Sequence, residues 1–340
     1  MKFTYVVTKQ LLQMLTEIAV LEKEIARLSL TPALRTSLYQ AAKIGTSHFS
    51  NKIEGNCLTR EQTEDVWKKK KVTAPKRDIQ EVKNLFELFD YLIERAKSTE
   101  PLTAQLVCAI HRYVEKNIVK GGLLGRFRES QNAIFDAETN LIVYMPPEAG
   151  EVPKLVDELF ERLNATEWEH DLIKAAIAHF GLVTIHPFMD GNGRTARALS
   201  TYLMMRDGFL FVRAMAWDEY FYQHRAQYYE VLHEGQGQNF YEREYRWDVQ
   251  RWLGFFIGGV AEMLRHFLEQ TRGVSEAQPI NSRQEKALRL LKRKGKLTNR
   301  EYRELNRVSN FTALMDLRSM EEQGLLQRIG QGRSAQYVLK

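Results

Sequence analysis

A mainly α-helical protein, interrupted once by a β-hairpin and closed by a small basic α+β unit, is the fold class that the sequence predicts. Three observations carry this. Apolar residues recur at three- and four-residue steps over most of the chain, the stretch from Gly121 to Pro147 breaks that rhythm, and the positive charge collects at the C-terminal end. Residues 281–340 hold 14 Lys/Arg against 6 Asp/Glu, a balance of +8, while the remaining residues hold 35 against 37, a balance of −2. The last sixth therefore has a different task from the rest.

With 340 residues, 44% of them hydrophobic and 27% charged, the chain suits a soluble globular protein of two or three packed units. No apolar run reaches membrane-spanning length, and the opening MKFTYVVTKQ lacks the basic-then-apolar pattern of a secretory signal. A cytoplasmic protein without a membrane partner is the expectation. Cys57 and Cys108 are the only cysteines, which excludes a disulfide framework and a cysteine-based zinc site.

Leu11, Leu15, Ile18, Leu21, Ile25 and Leu28 mark one buried face of a first helix. Thr59 followed by Gln62 forms a capping box that opens another. Lys68 to Lys71 reads as a solvated connection. Further helices are predicted over 79–97, 103–117, 152–164, 171–185, 194–207, 218–233 and 245–269. Gly121, Gly122 and Gly125 interrupt this series, and Asn132 to Pro147 reads as a β-hairpin with its turn near Glu138 to Asn140. Residues 271–282 form the linker to the basic tail.

The chemistry-bearing segment is HPFMDGNGRTAR, His186 to Arg197. Pro187 pushes the residue before it out of the α region and stops the incoming helix. Gly191 and Gly193 allow positive φ and close approach of a ligand to the backbone. A new helix starting near Arg194 offers unpaired N–H groups and a positive dipole end to a phosphate. Arg194 and Arg197 share one helix face. Asp190 supplies one hard oxygen, which suits magnesium completed by phosphate and water, and the unperturbed pKa of a histidine suits His186 to general-base work. Together these parts describe a phosphoryl- or nucleotidyl-transfer site. No GxxxxGK[ST] loop and no HExxH pair occurs.

This segment is similar to the motif of the Fic (Fic/Doc) family at every fixed position: histidine, proline, phenylalanine, any residue, an acid, then Gly-Asn-Gly-Arg and a second arginine three residues on. The resemblance extends over about residues 30–270 and includes GRFR at 125–128, MPP at 145–147 and YFYQHRAQYYEVL at 220–232. It implies a Fic-type helical bundle with a β-hairpin flap: residues 1–100 as an N-terminal helical region, 101–270 as the catalytic core, 271–282 as the linker and 283–340 as a further domain. It also implies a protein adenylyltransferase. His186 would take a proton from a Ser, Thr or Tyr hydroxyl of a target protein, and the hydroxyl would attack the α-phosphate of ATP. Asp190 would hold Mg2+, while Gly191, Asn192 with its side chain, and Gly193 receive phosphates. Arg194 would bind the β-phosphate and Arg197 the γ-phosphate, with Phe188 as an apolar anchor. Family members acting as kinases carry lysine at the position of Gly193, and members using other nucleotides share a similar loop. Ile142, Val143 and Tyr144 of the flap would dock an extended target segment. Ser50, Glu54 and Gly55 resemble the family's inhibitory pattern, with Glu54 competing for Arg197 within one chain; the same glutamate could instead position water for removal of AMP. Partners are ATP and an unknown protein substrate, the chain itself included; a homodimer stays open.

Residues 283–340 read as a winged helix: a basic helix from Arg283 to Lys294, a second capped by Thr298, and a third capped by Ser309 and ending at Gly324. Leu325–Ile329 and Ser334–Leu339 form the wing around a turn at 330–333. The charge suggests DNA, whereas the third helix carries Arg318 beside Asp316, Glu321 and Glu322, which suits a protein contact. The competing reading for the whole chain is a DNA-binding regulator whose Fic unit senses nucleotide.

Overall fold

The computed structural model describes residues 1–339 except 29, 31, 120, 136–138, 140, 166–168, 276–280, 323 and 331–334. It divides into two compact units, one of residues 1–26 and 32–268, the other of 27–31 and 269–340. The predicted turns at 138–140 and 330–333 and the centre of the 271–282 linker fall largely outside the described residues.

In chain order the first unit comprises β1 (Lys2–Thr4), α1 (Lys9–Ala26), α2 (Pro32–Ile53), α3 (Arg60–Trp67), α4 (Lys76–Arg95), α5 (Ala104–Val114), β2 (Ile134–Phe135), β3 (Ile142–Tyr144) and α6 (Val152–Ala165). It continues with α7 (Asp171–Ile185), α8 (Asn192–Arg206), α9 (Asp218–Gln223), α10 (Arg225–Gln236), β4 (Arg246–Asp248) and α11 (Gln250–Ser275), whose end passes into the second unit. The axis is the antiparallel pair α7 and α8. From Leu172 to Ile185 α7 is buried almost all round, which marks a helix sheathed by others rather than one with a solvent face. Neighbours α2, α4, α5, α6 and α11 cover the pair, and Trp252 of α11 is 1% exposed. Its Nε1–H donates to the Ala176 carbonyl at 2.7 Å, so the indole fills volume and satisfies its one donor.

The elements at the site end form for local reasons. The Thr59–Gln62 capping box is made in both directions. At the end of α2, Asn56 N–H reaches Asn51 O and Gly55 N–H reaches Lys52 O, each at 3.1 Å, with Gly55 at φ 93°. That is a Schellman ending, and its left-handed position calls for glycine directly after Glu54. The hairpin pairs β2 with β3 antiparallel across an irregularity between Ile134 and Phe135.

Two predicted helices differ. The 218–233 helix is broken at His224, whose φ of −107° and ψ of 32° separate α9 from α10. The 245–269 helix starts five residues late, at Gln250, because Arg246–Asp248 pairs in parallel with Lys2–Thr4. Trp247, 0% exposed, tilts against Phe3 at 5.7 Å, a long-range packing that outweighs local helical preference. Among the described residues no helix is long and apolar enough to cross a membrane.

The second unit contains α12 (Ser282–Lys294), β5 (Leu297–Thr298), α13 (Asn299–Asn306), α14 (Asn310–Glu322), β6 (Leu326–Ile329) and β7 (Gln336–Leu339), the strands in the antiparallel order β5-β7-β6. Thr298 caps α13 through Glu301, and Ser309 Oγ accepts from Thr312 N–H. Ala287, Leu291, Tyr302, Leu317 and Tyr337 belong to its core. Asp316, which reads from sequence as an acidic surface residue, points inward: it accepts from Tyr302 Oη at 2.9 Å and pairs with Arg283 at 2.8 Å.

Trp252→Ala removes a buried side chain and the indole hydrogen bond to the Ala176 carbonyl. It is expected to destabilise the first unit by about 3–5 kcal/mol, read as a shift in the urea midpoint followed by circular dichroism.

Candidate functional site

The loop between α7 and α8 is held closed by its own residues. Phe188, 0% exposed, stacks on His111 with ring centroids 3.8 Å apart and 3° between planes, and Phe127 lies 5.5 Å away. Asn192 spans the loop in both directions: its Oδ1 accepts from Phe188 N–H at 2.9 Å and its Nδ2 donates to Phe188 O at 2.8 Å. This corrects one expectation. The Asn192 side chain, expected to receive phosphate, is in a residue 2% exposed and is engaged in shaping the loop.

His186 is the C-cap of α7, at φ 51° and ψ 58°. It leaves the right-handed region as the proline requires, yet enters the left-handed one, uncommon for a residue with a Cβ. Arg128, 2% exposed, holds it there: Nε donates to His186 O at 3.0 Å, and the Arg128 N–H to Pro187 O at 2.9 Å. The same guanidinium donates to Pro147 O, so the base of the hairpin and the loop share one clamp. His186 Nδ1 lies 3.4 Å from Val183 O. A proton on Nδ1, directed at that carbonyl, leaves the Nε2 lone pair free. Burial pushes the His186 pKa down to about 4.

Gly191, at φ 74°, caps α8, and the helix begins at Asn192. Glu54 reaches this helix start from the end of α2. Its Oε1 accepts from Arg197 Nη2 at 2.7 Å, and a Cβ built on Gly193 would lie 2.3 Å from the same oxygen. The carboxylate thus covers the N-terminus of α8, where an anion is favoured. Burial pushes the Glu54 carboxyl up, but Arg197 and Arg194 outweigh it and hold it below its ordinary value. Arg197, 1% exposed, also donates from Nε to Ser50 Oγ at 3.0 Å and lies 3.3 Å from Asp218 Oδ1.

Arg194, 3% exposed, pairs with Glu115 at 2.8 Å and Glu81 at 3.2 Å. Asp190 is half exposed; its Oδ1 accepts from Gly191 N–H at 2.7 Å and its Oδ2 from Arg77 Nη2 at 2.8 Å. Among the described residues no group of three or more His, Cys, Asp and Glu could hold a metal. One half-exposed carboxylate still fits magnesium, which takes one or two carboxylates and draws its other oxygens from phosphate and water.

His186, Asp190, Gly191, Gly193, Arg194, Arg197, Ser50, Glu54 and Gly55 are brought to one place. The hairpin residues divide. Ile142 and Val143 are 52% and 37% exposed, as a docking edge needs, whereas Tyr144 is 2% exposed and donates its hydroxyl to Thr184 O at 2.9 Å. Tyr144 is an anchor to α7, a second correction. Sequence reasoning missed His111, Arg77, Glu81, Glu115 and Asp218. They stand on α4, on α5 and its C-cap, and on α9 at no motif spacing, and Arg77 with Glu81 shows only an i,i+4 ion pair. Two surface depressions of about 650 and 420 Å³, lined from residues 1–4 and 231–252, take nothing from the 186–197 loop.

Residues 101–204 match the model of the Fic/DOC family. A protein adenylyltransferase Fic of Nematostella vectensis is 31% identical over 194 residues, 55% of this chain and 42% of that protein. One of Culex quinquefasciatus is 29% identical over 278 residues, 78% and 50% of the two. The chain thus spans about half the length of these curated relatives. A Fic family protein from Desulfovibrio desulfuricans G20 superposes with a TM-score of 0.73 at 25% identity over 100% of this chain and 98% of its own. Fic-1 (aa134–508) from C. elegans gives 0.57 at 26% identity over 78% and 73%.

Burial also brings His111 down to about 4, and Gly125 N–H donates to its Nδ1, which fixes a neutral ring. Both His111 and His186 are expected to stay neutral in the folded chain at pH 5.5, read from ring-nitrogen chemical shifts by NMR. Since unfolded histidine takes its proton near pH 6.5, these rings withdraw stability as pH falls from about 6.5 to 4.

Proposed function

We propose that the Fic/DOC-family domain this chain carries transfers AMP from ATP to a hydroxyl of a protein, restrained within the chain by Glu54. The observation that carries the proposal is the Glu54 carboxylate seated over Gly193 and bonded to Arg197 at 2.7 Å. A carboxylate held at a helix start by a buried arginine stands in for a phosphate. The relatives named protein adenylyltransferase support the choice of AMP.

In this reading His186, its Nε2 lone pair free, takes the proton of the target hydroxyl. The hydroxyl oxygen attacks the α-phosphorus, the bond to the bridging oxygen breaks, and pyrophosphate leaves. The N–H groups at the start of α8, Arg194 and Arg197 hold the phosphates and oppose the charge that develops. Asp190 would hold magnesium, whose charge neutralises triphosphate oxygens. Ile142 and Val143, exposed on the hairpin, offer a strand edge for an extended target segment. Arg197 keeps Ser50 and Asp218 when Glu54 departs, so it stays aimed.

The C-terminal unit is read as a winged helix that contacts protein. On α14 the exposed residues include Phe311, Leu314 and Met315, at 74%, 46% and 54%, an apolar face where a major-groove reader presents Arg, Lys, Asn or Gln.

Incubation with ATP labelled at either the α- or the γ-phosphate tests the main reading. Label on protein only from the α position is expected, and His186→Ala lowers it about 10²–10⁴-fold. Protein labelled from the γ position, or His186→Ala at the original rate, would overturn it.

A charge-assisted hydrogen bond contributes about 1.5–3 kcal/mol. Because the Glu54 side chain is 34% exposed, solvent screening moves its pair with Arg197 to the low end. Glu54→Gly is expected to raise self-labelling about tenfold; a rate no higher than that of the unsubstituted chain removes the brake.

A further inference from the structure

Arg77 lies on α4, outside the motif, and completes a closed ring of alternating charge. Its Nη2 donates to Asp190 Oδ2 at 2.8 Å and its Nε to Glu81 Oε1 at 3.0 Å. The same Glu81 oxygen lies 3.2 Å from Arg194 Nη1, and Arg194 Nη2 lies 3.7 Å from Asp190 Oδ1. Glu81 Oε2 accepts from Asn56 Nδ2 at 2.8 Å, which ties the ring to the turn just after Glu54.

Burial sorts the members of the ring. The side chains of Glu81 and Arg194 are 8% and 3% exposed, those of Arg77 and Asp190 57% and 48%. Glu81 and Arg194 form a buried pair that is costly to part, whereas the Arg77–Asp190 pair can open into water. It is therefore the weak joint of the ring. Both Asp190 oxygens are engaged, Oδ1 by Gly191 N–H and Oδ2 by Arg77. The second engagement is with a side chain that can leave.

We propose that Arg77 is a latch on Asp190: its guanidinium occupies Oδ2 while Glu54 occupies Arg197, and a divalent cation entering with nucleotide displaces it. Two helices then hold the closed site, α2 at the phosphate-facing arginine and α4 at the carboxylate. The proposal rests on the reading of Asp190 as the metal ligand, and Arg77 is a positioning residue that need not touch substrate.

The test is Mn2+ binding to the full chain, followed by electron paramagnetic resonance of the free ion with α,β-methylene ATP present. It compares the unsubstituted chain with Arg77→Gln, Lys76→Gln and Asp190→Asn. Arg77 is more than half exposed, so its substitution leaves the core packed. Arg77→Gln is expected to bind Mn2+ about two- to fivefold tighter, the size of an exposed ion pair. Lys76→Gln, which removes the same charge one residue away, leaves the affinity unchanged, and Asp190→Asn weakens it. Arg77→Gln no tighter, with Asp190→Asn weakened, overturns the latch and leaves the metal reading standing. Equal shifts in Arg77→Gln and Lys76→Gln overturn it in favour of general charge. Asp190→Asn binding as the unsubstituted chain does removes the metal reading and the latch together.

Discussion

The closed loop between α7 and α8 depends on Phe188. Its ring is stacked on His111 and its backbone is gripped on both sides by Asn192, so the residues before and after it have no freedom to wander. His186 on one side and Gly191 on the other take left-handed backbone angles, which cost energy for the histidine and which glycine accepts freely. They persist because this internal brace and the Arg128 clamp over-determine them. The start of α8 is thereby aimed at one point in space, and the chemistry of the site follows from that aim.

Around this point the protein places more charge than a short loop could carry. Arg194 and Arg197 are almost wholly buried, which is tolerable only because carboxylates from other helices meet them: Glu81 and Glu115 for one, Glu54 and Asp218 for the other. The arrangement has an asymmetry with functional weight. Glu115 and Asp218 are 0% and 2% exposed at the side chain and stay fixed, while Glu54, about a third exposed, sits at the end of a helix closed by a glycine turn. Of these four carboxylates that meet the two arginines, Glu54 alone is open to solvent.

The same division runs through the hairpin. Tyr144 and Arg128 tie its base to α7 and to the loop, whereas Ile142 and Val143 stay open to solvent. A two-stranded ribbon is barely stable alone. Anchoring the base of the hairpin to the core leaves Ile142 and Val143 exposed.

Sequence alone determined the helical periodicity, the Thr59 and Thr298 caps, the glycine after Glu54 and the twelve-residue loop. Each of these is set by neighbours within a few residues, through capping geometry, proline and glycine sterics, or a shared helix face. Tertiary structure decided what depends on distant partners. It turned Asn192, Tyr144 and Asp316 inward, broke the 218–233 helix, and drew Arg246–Asp248 into a strand beside Lys2–Thr4. It also brought Arg77, Glu81, Glu115, His111 and Asp218 to the loop from far along the chain. No local pattern encodes such meetings, because the charge and the cavity that select these side chains exist only once the helices have packed.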